Sequence, residues 1–99
     1  MTLESLKEMI LISLRNSSRD IEKSSKNAES DLAKCDIFWP SVFIGDAEDY
    51  WATAYIAKLL FPDDKEIAEH YRRAEYMREK AYRIRDRFTW SCKCKPIKK

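Results

Sequence analysis

The residues of this chain that could do chemistry are a single histidine, three cysteines and several acids. Glu66 and His70 stand four residues apart, so on a helix they would share one face and could hold a metal ion within a bundle. A di-metal site needs further inward carboxylates, and the first third of the chain offers only Asp20 or Asp31 near its apolar stripe. A metal-dependent helical-bundle enzyme is therefore only a second alternative, and neither a metal ion nor a cofactor is predicted.

Two acidic pairs, Asp46/Asp49 and Glu66/Glu69, resemble the paired carboxylates of MazG-type nucleotide pyrophosphatases, which hold magnesium between two helices. The Glu-x-x-Asp pattern of that family is absent. Both pairs also stand where a helix is expected to begin, and acids act there as caps. The resemblance therefore assigns no family. With one histidine, no nucleophile motif and no glycine-rich phosphate loop, the sequence predicts a protein that is not an enzyme.

The three cysteines are Cys35, Cys92 and Cys94. The C-x-C spacing of the last two is shorter than the usual zinc-binding pattern, and Cys35 is distant in the chain. An odd number of cysteines favours a reducing compartment over a disulfide framework. We therefore predict a cytoplasmic protein with free thiols, made reactive by neighbouring lysines. A redox or metal role for Cys92 and Cys94 stays open.

The composition favours helices over strands. Of 99 residues, 44% are hydrophobic and 36% are charged, which is typical of a small folded domain. One glycine and one valine leave little material for hairpin turns and strands. The apolar run at 9–14 is too short to cross a bilayer, so no membrane association is predicted.

Apolar and small side chains recur at steps of three and four along the first third of the chain. They run from Leu3 to Cys35, which predicts one long helix with Thr2 as its N-cap. A bend near 16–18 or 24–27 is the alternative, because the inward positions of this polar middle are mostly serine or alanine.

Two further helices are predicted after an aromatic segment. The second covers 46–61, with Asp46 as its N-cap. The third covers 63–89, with Asp63 as its N-cap and Glu66 completing a capping box. The inward positions of the third helix follow a heptad pattern and are Ile67, His70, Ala74, Met77, Ala81, Ile84 and Phe88.

The sequence thus predicts an all-α fold, a small three-helix bundle in which a long first helix packs on an antiparallel hairpin of 46–61 and 63–89. The aromatic loop 35–45 is expected to close one end of the bundle as part of the core. A single domain covers 1–90, and 91–99 form a basic tail that contains cysteine. Because so small a chain has little core, a homodimer through the alanine-rich stripes is a further expectation.

Charge is distributed unevenly along the chain. Residues 71–99 hold eleven Lys or Arg against three Asp or Glu, whereas residues 1–70 have a net charge of −6. The acidic clusters at 46–49 and 63–69 crowd at helix starts, so they are not expected to neutralise cations spread along the third helix. Some positive charge should therefore face outward and bind an anionic partner. The alternative is a solvated charged face with scattered ion pairs.

We expect a non-enzymatic interaction protein, an adaptor, inhibitor or regulatory subunit, that docks on a larger protein. A nucleic-acid-handling enzyme is the expected kind of partner, and small regulators encoded by phages or mobile elements often have this profile. Aromatic anchors and cations are expected to make the contacts. These residues are Phe38, Trp39, Phe43, Arg73, Arg78, Lys80, Arg83, Arg85 and Arg87.

Direct binding of nucleic acid is the alternative function. A basic helix beside aromatic residues could grip phosphates. The net charge of +2 is nevertheless low for a dedicated DNA-binding domain, and no helix-turn-helix, zinc finger or RNP-like motif can be read. The residues for this alternative are Arg72, Arg73, Lys80, Arg83, Arg87, Trp90, Lys93 and Lys95.

Overall fold

The computed structural model describes residues 2–92, which form three helices. Helix α1 covers Leu3–Ala33, α2 covers Phe38–Leu60 and α3 covers Lys65–Cys92. No strand occurs within residues 2–92, and the predicted all-α three-helix fold is confirmed. None of these three helices, as far as they are described, is long and apolar enough to cross a membrane.

Helix α1 is continuous from its predicted start. The side-chain oxygen of Thr2 accepts a hydrogen bond from the amide of Ser5 at 3.0 Å, which confirms Thr2 as the N-cap. The helix runs unbroken through 16–18 and 24–27, so the bend considered for those segments is not observed. The inward side chains of this polar stretch are small enough to pack against α2 without a bend. Ser24 is one of them: it is buried, and its hydroxyl donates a hydrogen bond to a carboxylate of α2.

Helix α1 ends in a Schellman motif. The amide of Asp36 donates to the carbonyl of Asp31 at 2.9 Å, and the amide of Cys35 donates to the carbonyl of Leu32 at 3.1 Å. Cys35 has a φ of 54°, the left-handed conformation that glycine usually adopts at this position. The chain therefore turns sharply after α1 without a glycine.

The predicted start of α2 is wrong. The helix begins at Phe38, and the supposed aromatic loop forms its first two turns. Pro40 is tolerated there because the first amides of a helix have no partner within the helix. Two carboxylates satisfy the amides that precede it. Phe38 N–H donates to Asp36 Oδ1 at 3.0 Å. Trp39 N–H donates to Asp31 Oδ2 at 3.1 Å.

Gly45 and Asp46 consequently lie inside α2 rather than before it. No atom lies within 4 Å of where a side chain at Gly45 would begin, so packing does not require glycine there. Asp46 is not a cap, because its carboxylate accepts the hydrogen bond from Ser24 of α1. From this point to the end of α2, the buried side chains are Ala47, Tyr50, Ala54 and Ala57.

Helix α3 begins slightly later than predicted. Asp64 rather than Asp63 is its N-cap, since Asp64 Oδ1 accepts a hydrogen bond from the Ile67 amide at 2.9 Å. Glu66 therefore completes no capping box. Its carboxylate instead accepts two hydrogen bonds from Arg15 of α1, at 2.7 and 2.8 Å.

The heptad pattern of α3 marks its core face, as predicted. Alanines of α2 and α3 allow the helices to approach closely, and larger side chains such as Tyr50, Phe43 and Leu14 fill the remaining space. The alanines on the inward stripes of α2 and α3 are buried within one chain, so a dimer through these stripes has no free surface to use. They are Ala47, Ala54, Ala57, Ala74 and Ala81. The buried heptad residues are Ile67, Ala74, Met77, Ala81 and Ile84, whereas His70 and Phe88 are half-buried.

Cys35 and Cys92 form a disulfide, with their Cα atoms 5.6 Å apart. The prediction of free thiols is wrong for both, and Cys94 lies outside the described residues. The bond ties the end of α3 to the turn after α1. The predicted tail 91–99 thus begins within α3, and residues 93–99 lie outside the described part.

Candidate functional site

An open groove of about 720 Å³ lies between the last turns of α1 and the second half of α3. The Schellman turn brings Cys35 into its wall, and the disulfide holds the end of α3 beside that wall. Its lining includes the side chains Glu29, Leu32, Tyr76, Lys80, Arg83 and Arg87. The groove therefore combines apolar contacts with an excess of positive charge.

Arg83 and Arg87 are the uncommitted cations of the groove. Both side chains are exposed, and neither has an ion pair within residues 2–92. They stand one turn apart on α3, so their guanidinium groups can reach one ligand together. Guanidinium groups bind carboxylates and phosphates through paired hydrogen bonds. This pair can therefore hold an anionic group at the groove.

Lys80 and Tyr76 complete the α3 side of the groove. Lys80 Nζ lies 2.5 Å from Glu29 Oε1 of α1, so one cation of the groove is already neutralised. Tyr76 is 56% exposed and offers a ring and a hydroxyl group to a ligand. The sequence prediction did not include Tyr76 or Glu29. The spacing of Tyr76, Lys80, Arg83 and Arg87, at steps of four, three and four, could have shown that they share one helix face.

The expectation that the chain cannot match the other cations of α3 is wrong for several of them. Arg73 donates to Ser18 Oγ at 2.9 Å and lies 3.7 Å from Glu22, both on α1. Arg72 pairs with Glu69 one turn earlier on α3. The carboxylates come mainly from the middle of α1 and from α2, not from the acidic helix starts alone.

Arg78 is held between α2 and α3. Its Nε donates to Glu48 Oε1 at 2.8 Å, and its guanidinium carbon lies 4.6 Å from the centre of the Trp51 ring. Tyr82 also donates to Glu48, at 2.5 Å. Arg85 lies over the Tyr82 ring at 4.7 Å, and its guanidinium also contacts a neighbouring aspartate. Arg78 therefore contributes to the α2–α3 contact, whereas these contacts of Arg85 lie within α3.

The three proposed aromatic anchors fall into different environments. Phe43 is fully buried in the core, so it is not part of an exposed surface. Phe38 is 60% exposed, and its ring packs edge-on against Trp39 with the centroids 5.4 Å apart. Trp39 is half-buried. Only Phe38, three residues after Cys35 of the groove wall, is free to act as an anchor.

The nucleic-acid alternative depends partly on residues that cannot be placed. Lys93, Lys95 and the side chain of Trp90 lie outside the described part of the chain. Among its described residues, Arg72, Arg73 and Lys80 carry intramolecular ion pairs. Arg83 and Arg87 remain for either function.

His70 belongs to a polar network that crosses all three helices. The Tyr50 hydroxyl lies 2.6 Å from His70 Nδ1, and His70 Nε2 lies 3.5 Å from Glu66. Hydrogen bonds from Arg15 lower the pKa of Glu66 below 4.5. Burial raises the pKa of Tyr50 above 10.0. Within residues 2–92, no group of three His, Cys, Asp or Glu side chains is placed to hold a metal ion.

Two further carboxylates depend on being ionised. The hydrogen bond from Tyr82, followed by that from Arg78, lowers the pKa of Glu48 below its ordinary 4.5. The hydrogen bond from Lys7 lowers the pKa of Asp64 below 3.8. Because these values are lower in the folded state, the carboxylates stabilise the fold above their ordinary pKa values. That stabilisation is lost as the pH falls through the lowered values.

Replacing Glu48 by glutamine is expected to lower the free energy of unfolding at pH 7 by up to about 1 kcal/mol. The loss should shrink as the pH falls below 4.5 and through the lowered pKa of Glu48, because the carboxylate of the wild type then becomes protonated as well. Urea unfolding of both proteins across this range measures it. Glu75→Gln, at an exposed α3 residue without an ion pair in residues 2–92, is the control. A Glu48→Gln loss that does not shrink as the wild-type carboxylate is titrated, or a Glu75→Gln loss of the same size, would contradict the assignment.

The structure thus has an open groove lined by two arginines without an ion pair in residues 2–92, and an exposed phenylalanine at the same end of the bundle. Comparison of the chain with known protein families, with curated proteins and with solved structures gives no match.

Proposed function

We propose that the protein is a non-enzymatic docking module that binds an acidic segment of a larger protein in the groove between α1 and α3. The observation that carries the proposal is the pair Arg83 and Arg87, which are exposed, one turn apart and without an ion pair in residues 2–92. The apolar lining of the groove and the nearby Phe38 add contact area for side chains of the same partner.

A protein partner is favoured over nucleic acid because the free positive charge is local. Nucleic-acid binding takes its affinity from many phosphate contacts spread over a surface. Here Arg73, Arg78 and Lys80, which would extend the basic surface along α3, already bind carboxylates of the same chain. A short run of glutamate or aspartate can be neutralised by two neighbouring arginines, whereas a duplex cannot.

The charge of the groove also narrows the kind of partner. A channel that takes nucleic acid is itself basic, so it would repel Arg83 and Arg87. The proposal therefore specifies an acidic surface of the larger protein and not a phosphate-binding path. Adaptor, inhibitor and regulatory subunit are all compatible with such a contact. The cytoplasmic location stays a prediction from the sequence, and the disulfide between Cys35 and Cys92 removes the unpaired cysteines on which it rested.

Reversing both groove charges, Arg83→Glu with Arg87→Glu, is expected to weaken the binding of a fluorescent glutamate-rich peptide at least about tenfold. Each lost guanidinium removes charge-assisted hydrogen bonds and the new carboxylates repel the peptide. Fluorescence anisotropy at fixed salt measures the affinity. Arg19→Glu with Lys65→Glu is the matched control, since these exposed residues without an ion pair in residues 2–92 change the net charge equally. They lie roughly 15 Å along their helices from the groove lining.

The control is expected to bind the peptide within about twofold of the wild type, because screening weakens charges beyond roughly 10 Å. Equal weakening by both double variants would show attraction by net charge alone and would overturn the proposal. A single-stranded oligonucleotide of the same charge serves as the second probe. If it binds tenfold more tightly than the peptide, the nucleic-acid alternative replaces the proposed function.

A further inference from the structure

A second surface lies on α1 and α2, far from the groove. Two contacts fix the register of these antiparallel helices: Ser24 with Asp46, and Asp31 with the Trp39 amide. In both pairs the residue numbers add to 70. Residue 9 of α1 therefore lies level with residue 61, at the end of α2. It is about 30 Å along α1 from Glu29, which lines the groove.

Exposed uncharged residues cover the α1–α2 pair at the end where α1 begins and α2 ends. They follow helical spacing on each helix, so each set shares one outward face. The larger ones are well exposed, with Met9 at 57%, Ile56 at 55% and Leu59 at 65%. We define the outer apolar face by Met9, Ile12, Ser13, Asn16, Ala52, Ile56, Leu59 and Leu60, all exposed.

The charged side chains of the same stretches turn away toward α3. Lys7 pairs with Asp64 at 2.8 Å. Arg15 pairs with Glu66 of α3. Lys58 lies over the Tyr71 ring, 4.4 Å from its centre. An uncharged outer face is unusual in a chain of which 36% is charged, and contiguous exposed apolar side chains mark interaction sites.

We propose that the outer apolar face binds the same face of a second copy, which gives a symmetric dimer. A symmetric contact places each patch against itself, so any charge within it would meet a like charge. This face carries none. Two α1–α2 layers packed together would form a four-helix arrangement, a common solution for helices with one apolar side left over.

The size of the face predicts a weak dimer. It extends over about three turns, or roughly 17 Å, and across two neighbouring helices, or roughly 20 Å. The area that these two lengths enclose is smaller than the standard contact of roughly 800 Å² per partner. We therefore expect a dissociation constant in the micromolar range. The groove of each copy lies about 30 Å along α1 from this face, so both grooves would stay accessible. The proposal does not depend on what the grooves bind.

Sedimentation equilibrium of the full chain between about 5 and 500 μM tests the proposal. A Cys94→Ser background prevents covalent dimers. The average mass is expected to rise from 11.8 kDa toward twice that value with concentration. Met9→Glu with Ile56→Glu should weaken the association at least about a hundredfold, because burying four carboxylates in the symmetric contact is unfavourable.

Ile37→Glu with Phe38→Glu is the matched control, since both residues are more than half exposed at the other end of the bundle. It should dimerise like the parent chain, with helicity equal to that of the test variant. A parent chain of single-chain mass at 500 μM would overturn the proposal. So would a Met9/Ile56 variant that dimerises as well as its parent, or a control that loses dimerisation equally.

Discussion

Replacing Cys35 by serine in a Cys94→Ser background is expected to lower the free energy of unfolding by about 4 kcal/mol. The disulfide joins residues 57 positions apart, and a cross-link over so long a segment removes much of the freedom of the unfolded chain. Serine at position 35 keeps the same left-handed backbone conformation, so the loss isolates the cross-link rather than the turn. Guanidinium unfolding without reductant, monitored by helical circular dichroism, measures the change.

Cys92→Ser is the second variant, because it removes the same bond from α3 and should give nearly the same loss. The Cys94→Ser parent is the reference for both. After reduction by a dithiol, the parent should unfold at the same denaturant concentration as the two variants. An unchanged midpoint in both variants would show that no such bond forms in the folded protein.

Replacing Phe43 by alanine is expected to cost about 3–5 kcal/mol of unfolding free energy, the second large effect. Phe43 is fully buried among the side chains of all three helices, and its removal leaves a cavity in a core built largely from alanine. Alanine-rich contacts cannot move inward to fill such a space, because the backbones already lie close together. Thermal and urea unfolding of the variant, with the disulfide intact, check the value.

Phe38→Ala is the matched control, because it removes the same kind of side chain five residues earlier on the same helix. Its ring is 60% exposed, so its loss should change stability by less than about 0.5 kcal/mol. The same variant should weaken peptide binding if Phe38 contacts the partner. Equal destabilisation by the two variants would contradict the assignment of Phe43 to the core and of Phe38 to the surface.

Periodicity was sufficient to predict the helices but not all their boundaries. The heptad of Ile67, Ala74 and Ala81 placed the core face of α3 correctly, because burial follows apolar spacing closely. The start of α2 was missed, since Pro40 and Gly45 usually interrupt helices. Pro40 is acceptable because it stands in the first turn of α2, where an amide needs no partner within the helix. Two carboxylates bind the amides before it, and one of them belongs to Asp31 in the last turn of α1.

The pairing of cations could not be read from the sequence for a similar reason. Glu22 and Glu29 stand in a polar stretch that predicts only a solvated face. They meet Arg73 and Lys80 because α1 continues straight past α3. The local charge count therefore overestimated the free positive charge. Within residues 2–92, Arg83 and Arg87 carry no ion pair, and both line the groove beside the end of α1.

The disulfide was missed because an odd number of cysteines points to a reducing compartment. Nothing in the local sequence brings Cys35 and Cys92 together. Their contact follows from the length of α3, which returns the chain to the turn after α1. A helix that ended at residue 89, as predicted, would have left Cys92 in a tail.

The central claim is that Arg83 and Arg87 form the anion-binding part of a docking groove. Its most direct test is a nuclear magnetic resonance titration of the labelled full chain with a glutamate-rich peptide. Saturable shifts are expected for the backbone amides of Tyr76, Lys80, Arg83 and Arg87 and for the Nε–H groups of the two arginines, with unchanged signals at residues 19 and 65. Shifts spread evenly over the basic residues of α1 and α3, or centred away from the groove, would contradict it.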